Sequence, residues 1–233
     1  MAGEAVALRL RGVVKEYAGG VRALAGVDLT IDRGEAVAVV GPSGSGKTTL
    51  LQIMGTLDRP TAGDVQIDGR DVAACSDDEL SAVRAHRIGF VFQQFHLIEG
   101  LPAVDNVADG LLYSGLARGE RRARARAALD SVGLGARMAH RPNQMSGGER
   151  QRTAIARAIA GAPAIVFADE PTGNLDSRTG AEIVALLRAL NSGGSTLVVI
   201  THDADVAQSL PRQVHMRDGA IVHDSAALQP AVA

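Results

Sequence analysis

Apolar and polar residues alternate from Val6 to Val14 and again over Val27–Ile31, the pattern of strands with one face in water and one on a core. Two such runs near each other predict an antiparallel sheet. Glu35–Val40 differs, because nearly every residue is apolar, as in a strand covered on both faces. It runs into the glycine-rich Gly41–Gly46, and a helical pattern follows over Thr48–Leu57. A short edge strand is expected at Gly63–Ile67, with Asp68-Gly69 as its turn, and a core strand at Arg87–Phe92. From about Phe95 to Ala160 the pattern becomes helical, with Ala, Leu and Arg filling Ala103–Leu116, Arg121–Val132 and Gly147–Ala160. Ala164–Ala168 and Leu197–Ile200 then return as apolar strands around a helix over Thr179–Leu190, a βαβ unit that calls for a parallel sheet.

The chain of 233 residues therefore reads as one α/β domain whose parallel core is split by a helical insertion. Residues 1–94 and 161–223 are assigned to the core with its antiparallel β subdomain, and residues 95–160 to the helical subdomain. Residues 224–233 lack apolar periodicity and are expected to fray. No apolar run approaches the roughly 18–20 residues of a membrane span, and Met1-Ala2-Gly3-Glu4 has neither a basic patch nor an apolar signal core. Neither bilayer crossing nor secretion is expected.

Charge and cysteine usage narrow the function classes. With 24 Lys+Arg against 26 Asp+Glu the formal net charge is -2, without the basic excess that nucleic-acid binding usually shows, so any phosphate binding is local. Cys75 stands alone, which rules out an internal disulfide or a multi-cysteine zinc site and suits a reducing compartment.

The local site is legible. Gly41-Pro42-Ser43-Gly44-Ser45-Gly46-Lys47-Thr48 has the G-x-x-x-x-G-K-[ST] spacing, between a buried strand and a helix as that motif requires. Glycines permit positive φ, so successive N–H groups can turn inward on a β-phosphate at the positive end of a helix. Lys47 is placed to reach the β- and γ-phosphates of ATP and Thr48 to ligate Mg²⁺, with Thr49 next in the phosphate-binding set. Lys15 and Lys47 are the only lysines among the 24 basic residues, so the chain chooses a slender ammonium here where it elsewhere prefers guanidinium. Ala164-Ile-Val-Phe-Ala-Asp169-Glu170 is an apolar strand ending in two carboxylates, where open α/β sheets hold their ligands. Asp169 is positioned to hold Mg²⁺, directly or through water, and Glu170 to polarise a water for attack on the γ-phosphate.

Between these motifs lies Met145-Ser146-Gly147-Gly148-Glu149-Arg150-Gln151-Arg152, and here the chain resembles the nucleotide-binding subunits of ABC transporters, whose signature is L-S-G-G-[EQ]-x-Q-R. Met145 replaces the usual leucine, a nearly volume-conserving change. Ser146 with Glu149 forms a capping box whose helix start can bind a second phosphate, and two glycines inside a cap imply close approach to its backbone. The resemblance extends from Tyr17 to about Val222 and implies a P-loop NTPase core with an antiparallel β subdomain and an inserted α-helical subdomain. It further implies that Tyr17 stacks on adenine and that Gln93, with Gln94 as a rival, touches Mg²⁺ and the attacking water. Asn174-Leu175-Asp176 corresponds to the D-loop, with Asp176 among the nucleotide-site residues, and His202 to the switch histidine at the γ-phosphate. The wording of Glu170–Asp176, Ile88–Phe95 and Arg217–Ile221 is most similar to subunits serving macrolide and lipoprotein exporters and the bacterial cell-division ABC pair.

The resemblance implies an ATPase that works as a homodimer, each ATP lying between one chain's phosphate loop and the other's Ser146–Gly148, and drives a separate membrane permease from the cytoplasmic face of the membrane. Phe95, Leu97 and Ile98 are expected to receive that permease. Two other readings remain at this stage: regulation of a cell-wall enzyme through the permease, and a nucleic-acid-linked ABC ATPase. For the latter, Arg121, Arg122, Arg124 and Arg126 lack the interleaved aromatics of an RNA surface and read as a solvated or membrane-facing helix face, so no nucleic acid is expected.

Overall fold

Two sheets divide the apolar alternation between them. The computed structural model describes residues 6–228. Residues 1–5, which carry the leader reading, and 229–233, half of the expected frayed tail, lie outside the described residues. Strands β1 (Val6–Tyr17) and β2 (Val21–Asp32) form an antiparallel hairpin that continues through polar residues to Gly19-Gly20, beyond the reach of the alternation. β3 (Ala36–Val40) is buried throughout, and α1 (Lys47–Met54) follows the glycine loop. β4 (Ala62–Ile67) pairs with β1 but is not an edge, because the two-residue β5 (Arg70–Asp71) lies outside it in the order β2-β1-β4-β5.

Helix α2 (Asp77–Arg87) goes unpredicted, since only Leu80 and Val83 are buried and its apolar period is faint. Its ends explain it: Ser76 and Glu79 close a capping box, acids fill the first turn and Arg84, His86 and Arg87 the last. β6 (Ile88–Val91) follows directly. Helix α3 (Ala103–Asp109) stops well short of Leu116, at Gly110, a poor helix former whose Cβ, if present, would meet the Arg157 Cγ at 2.6 Å. Then come α4 (Arg118–Ser131), α5 (Gly147–Ile159), β7 (Ile165–Asp169), α6 (Ser177–Ser192) and β8 (Thr196–Thr201). On α4, Arg122 pairs with Asp105 at 3.1 Å, while Arg124 and Arg126 are exposed.

Three further elements were also not anticipated: α7 (Ala204–Gln208), β9 (Arg212–Arg217) and β10 (Ala220–Asp224). Asp224 does not belong to a frayed tail. It ends β10 and pairs with Arg212 at 2.6 Å, and Ser225–Leu228 continues as a 3₁₀ turn. Burial alone would push the Asp224 carboxyl up, but the Arg212 hydrogen bonds and charge hold it below its ordinary range.

The second sheet has the order β10-β9-β3-β8-β7-β6, parallel except for β10 on β9. β6, expected in the sheet's core, is its edge, covered by α5 and α2. One face carries Val37, Val39, Ile165, Phe167, Val198 and Ile200 and packs on α1 and the antiparallel sheet. The other carries Ala38, Val40, Val166, Ala168 and Val199 and packs on α3–α7. Burial on both faces is why these strands read as unbroken apolar runs. Among the described residues no helix is long and apolar enough to cross a membrane.

Candidate functional site

Strand register brings the site together. Val40 lies beside Thr201, and Asp169 beside Ile200, so the segments leaving β3, β7 and β8 emerge at one level. At the end of β3 the loop turns through Gly46, whose φ of 99° is left-handed and where a Cβ would lie 2.6 Å from the Ala23 carbonyl oxygen. Only glycine fits on both counts. Gly46 is also the N-cap of α1, and no side chain caps that helix, so its first N–H groups face the loop. Lys47 Nζ donates to the carbonyls of Gly41 at 2.6 Å and Pro42 at 2.9 Å, arching back over the loop. Pro42, Ser43 and Gly44 are exposed, Ser45 is buried, Thr48 is exposed and Thr49 half-buried.

At the end of β7 burial raises the Asp169 carboxyl above its ordinary pKa, Glu170 raises it further, and Lys47 pulls the other way. Phosphate loop and carboxylate pair thus share one electrostatic neighbourhood. Glu170 has a φ of 44°, unusual outside glycine and worth on the order of 1 kcal/mol or more of strain. Its N–H donates to Ile200 O at 2.8 Å, extending the β7–β8 ladder by one step. Its carboxylate accepts from Thr201 Oγ1 at 3.0 Å and the His202 N–H at 3.0 Å, and lies 2.6 Å from His202 Nδ1. Glu170 and His202, predicted separately, are one hydrogen-bonded unit. A carboxylate fixed in this way at a strand end can take a proton from a water beside it.

The turn from Glu170 to Asp176 is gripped by other elements. Asn174 Nδ2 donates to Gln93 O at 2.9 Å, and Gln93 Nε2 reaches Asn174 Oδ1 at 3.4 Å. Gln93 makes no hydrogen bond to Lys47, Thr48 or Asp169, and Gln94 is exposed without a hydrogen bond among the described residues. Asp176 caps α6, accepting from Thr179 N at 3.0 Å and Thr179 Oγ1 at 2.6 Å, which lowers its carboxyl pKa. Tyr17 leaves the end of β1 with Lys15 Nζ 5.0 Å from its ring centre and its hydroxyl 3.3 Å from Asp58.

The signature residues share no hydrogen bond or ion pair with the loop among the described residues. Ser146 caps α5, with Glu149 N–H donating to its Oγ at 3.2 Å and its own N–H donating to Glu149 Oε2 at 2.8 Å. Arg137 pairs with Glu149 at 2.9 Å. The two glycines have a reason inside the chain: a Cβ on Gly148 would meet Thr179 Cγ2 at 2.5 Å, and one on Gly147 would meet Leu175 Cδ2 at 3.1 Å. The close approach inferred from the motif is made first by α6 of the same chain. Sequence reasoning gave no role to Gln151, although it is fully buried on α5 and its Nε2 donates to Pro171 O at 2.7 Å. A polar residue on the inward face of an amphipathic helix is the signal that marks it.

The residues expected to receive a permease differ in exposure. Phe95 is half-buried under the Arg150 guanidinium, 4.9 Å from its ring centre, and Leu97 is half-buried. Ile98 is exposed. Beside this segment lies a groove of about 730 Å³, lined among others by Phe90, Phe92, His96, Leu111, Tyr113 and Arg157. Tyr113 is 82% exposed, the largest apolar surface at the site. Arg157 holds the groove's edge by donating to Phe95 O at 3.0 Å, and its burial lowers its pKa against the opposing charge of Asp109.

Comparison with known proteins gives a consistent result. The family model described as ABC transporter matches residues 24–173. The macrolide export ATP-binding/permease protein MacB 1/2 of Paracoccus denitrificans is 48% identical over 227 residues, 96% of this chain but 34% of its own length. The chain thus spans about a third of the length of that relative. The ABC transporter ATP-binding protein YknY of Bacillus subtilis is 49% identical over 92% of this chain and 95% of its own. Among solved structures, the dimeric post-hydrolysis state of the ATP-binding cassette MJ0796 bound to ADP and Pi superposes with a TM-score of 0.83 at 45% identity, covering 94% of this chain and 97% of that one.

Proposed function

The chain belongs to the ABC transporter family as one of its ATP-binding ATPase cassettes, and from that premise we propose that two copies close head to tail on two ATP molecules and drive a membrane permease. The observation that carries this reading is a separation. Lys47, Asp169, Glu170 and His202 gather at the level ends of three strands, while the capped start of α5 lies against Leu175 and Thr179, pairs with Arg137, and has no hydrogen bond or ion pair to the phosphate loop among the described residues. A second copy supplies the missing half of each site, as an isologous pair does.

In this reading Gly41–Thr49 cradle the phosphates, Tyr17 meets the adenine, and Ser146–Gly148 with Asp176 meet the neighbouring chain's nucleotide. Thr48, Asp169 and Gln93 are the oxygen donors that would hold Mg²⁺, a hard cation that favours such ligands. The fit lies in Asp169, whose charge burial and Glu170 both oppose and a divalent cation would relieve. Bound Mg²⁺ supplies charge neutralisation at the β- and γ-phosphates. Glu170 takes the proton of the attacking water, and His202, 2.6 Å from its carboxylate, orients it and meets the γ-phosphate. Loss of the γ-phosphate removes the bridge between the copies, and two states that differ in that contact are what a switch needs.

The groove beside Tyr113 receives a cytoplasmic helix of the permease, which places the cassette at the cytoplasmic face of the membrane. The export-type wording of the sequence and the MacB relatives support an exporter or a permease that does mechanical work outside the membrane. The test uses two inactive variants. Lys47→Ala should lose nucleotide binding, and Ser146→Arg should keep it and lose hydrolysis. Mixed heterodimers then contain one site with both parts intact and one with neither, so activity should return in part. Absence of any recovery, with both chains folded, would rule out a site shared between chains.

A further inference from the structure

The Glu170–Asp176 turn is tied to three elements outside the β7–α6 connection, and two of the ties are already accounted for. Thr201 and His202 hold the Glu170 carboxylate from the end of β8, and Gln93 pairs with Asn174. The third tie comes from the signature helix. Gln151 is fully buried, and its amide spans from α5 to Pro171, the residue directly after Glu170.

Two observations show that this bond does more than fill space. Gln151 Oε1 has no hydrogen-bond partner among the described residues, so the amide is poorly matched to its surroundings except through the one N–H that reaches Pro171. A side chain selected for packing alone at a fully buried position would be apolar. The bond is also placed where backbone position decides chemistry. Glu170 holds a left-handed φ of 44° immediately before a proline, and proline narrows the backbone range of the residue preceding it. The pyrrolidine ring locks φ of Pro171, so a bond that holds the Pro171 carbonyl also restrains the ring and, through it, the peptide that joins Pro171 to Glu170.

We propose that Gln151 is a positioning residue that couples the seating of the α5 N-terminus to Glu170, by holding the Pro171 carbonyl from the helix that Ser146 caps. This inference rests on the reading of Glu170 as general base. Gly147 meets the same turn, because a Cβ there would lie 3.1 Å from Leu175 Cδ2, so α5 touches the turn at two points. A shift of α5 when its first turn meets a phosphate is thereby carried within one chain to the base, through Gln151 two residues beyond the capping box. Each chain's base then responds to whether its own signature is engaged.

The experiment measures steady-state ATP hydrolysis by Gln151→Met and Gln151→Glu beside Glu170→Gln. Met has nearly the shape of Gln and no donor. Its variant should lower kcat roughly 2- to 10-fold, the fold-change of a hydrogen bond of ordinary strength lost at the transition state, and leave KM for ATP unchanged. Gln151→Glu can donate to Pro171 only as the neutral acid, so the ratio of its kcat to that of the wild type should fall as pH rises and the new carboxyl ionises. Ile155→Val, a conservative truncation one helical turn further along the buried face of α5, serves as the stability control and should leave kcat unchanged. A Gln151→Met protein with wild-type kcat, or a Gln151→Glu protein with the wild-type pH profile, overturns the coupling. If Glu170→Gln itself retains turnover, the reading of the base fails instead, and the two failures are told apart.

Discussion

The phosphate loop and the turn after β7 serve the same proposed reaction but are held in opposite ways. The loop is built from consecutive residues: Gly46 supplies the left-handed step and the helix start, and Lys47 bonds back to Gly41 and Pro42. The turn is built from residues far apart in sequence. Glu170 is held by Thr201 and His202, Pro171 by Gln151 and Asn174 by Gln93, across separations of up to 81 positions. A device made locally can be recognised as a string of letters. A device made by tertiary contacts cannot, and it is the one able to sense what other elements are doing.

The sharpest way to test this contrast is at Glu170. Glu170→Gln should slow hydrolysis on the order of 10²- to 10⁴-fold, the worth of a general base, while ATP binding stays intact and gel filtration with ATP shows a trapped dimer. Near-normal turnover would remove the turn from the chemistry. Lys47→Ala should act at the other region and on the other step, weakening ATP binding by roughly 10- to 100-fold, as loss of a charge-assisted contact of about 1.5–3 kcal/mol does. Nucleotide titration checks it, and a loss of kcat at unchanged affinity would blur the division between the regions.

Gly148→Val tests the packing of α5 on α6. Its Cβ would enter the Thr179 methyl, so about 1–3 kcal/mol of stability should be lost, the range of overpacking, readable by chemical denaturation. A fully stable variant would mean that α5 and α6 adjust independently.

The smallest effect concerns Asp169. Its carboxyl pKa is raised by burial and by Glu170, so the native state holds this proton more firmly than the unfolded chain does. Its charge therefore destabilises the nucleotide-free protein, and the penalty appears as pH rises above the unfolded value of about 3.9 and is complete above the raised native value. Asp169→Asn should unfold at higher denaturant concentration than wild type at pH 7, and the difference should shrink toward pH 4. A difference that grows on acidification would contradict the sign of this shift.

The alternation of Val6–Val14, the unbroken apolar run of β3 and the glycine-lysine loop were legible in the sequence because each is a short-range pattern with one structural solution. The capping box at Ser146 was legible for the same reason. Helix α2 was missed although Ser76 and Glu79 spell an equally good cap, because a helix with two buried apolar residues carries almost no period. α3 was predicted too long, since Gly110 alone does not announce that Arg157 lies against it.

The sequence by itself determined which residues are proposed to carry the chemistry and the kind of strand, loop or helix on which each would stand, because those choices depend on neighbours within a few positions. Only the tertiary structure decided that Glu170 and His202 form one unit, that the groove lies at Phe92, His96 and Tyr113 and not at Phe95 and Leu97, and that Gln151 reaches Pro171. These depend on which strand ends are level and which helix faces meet, and such contacts follow from packing the whole chain around one sheet.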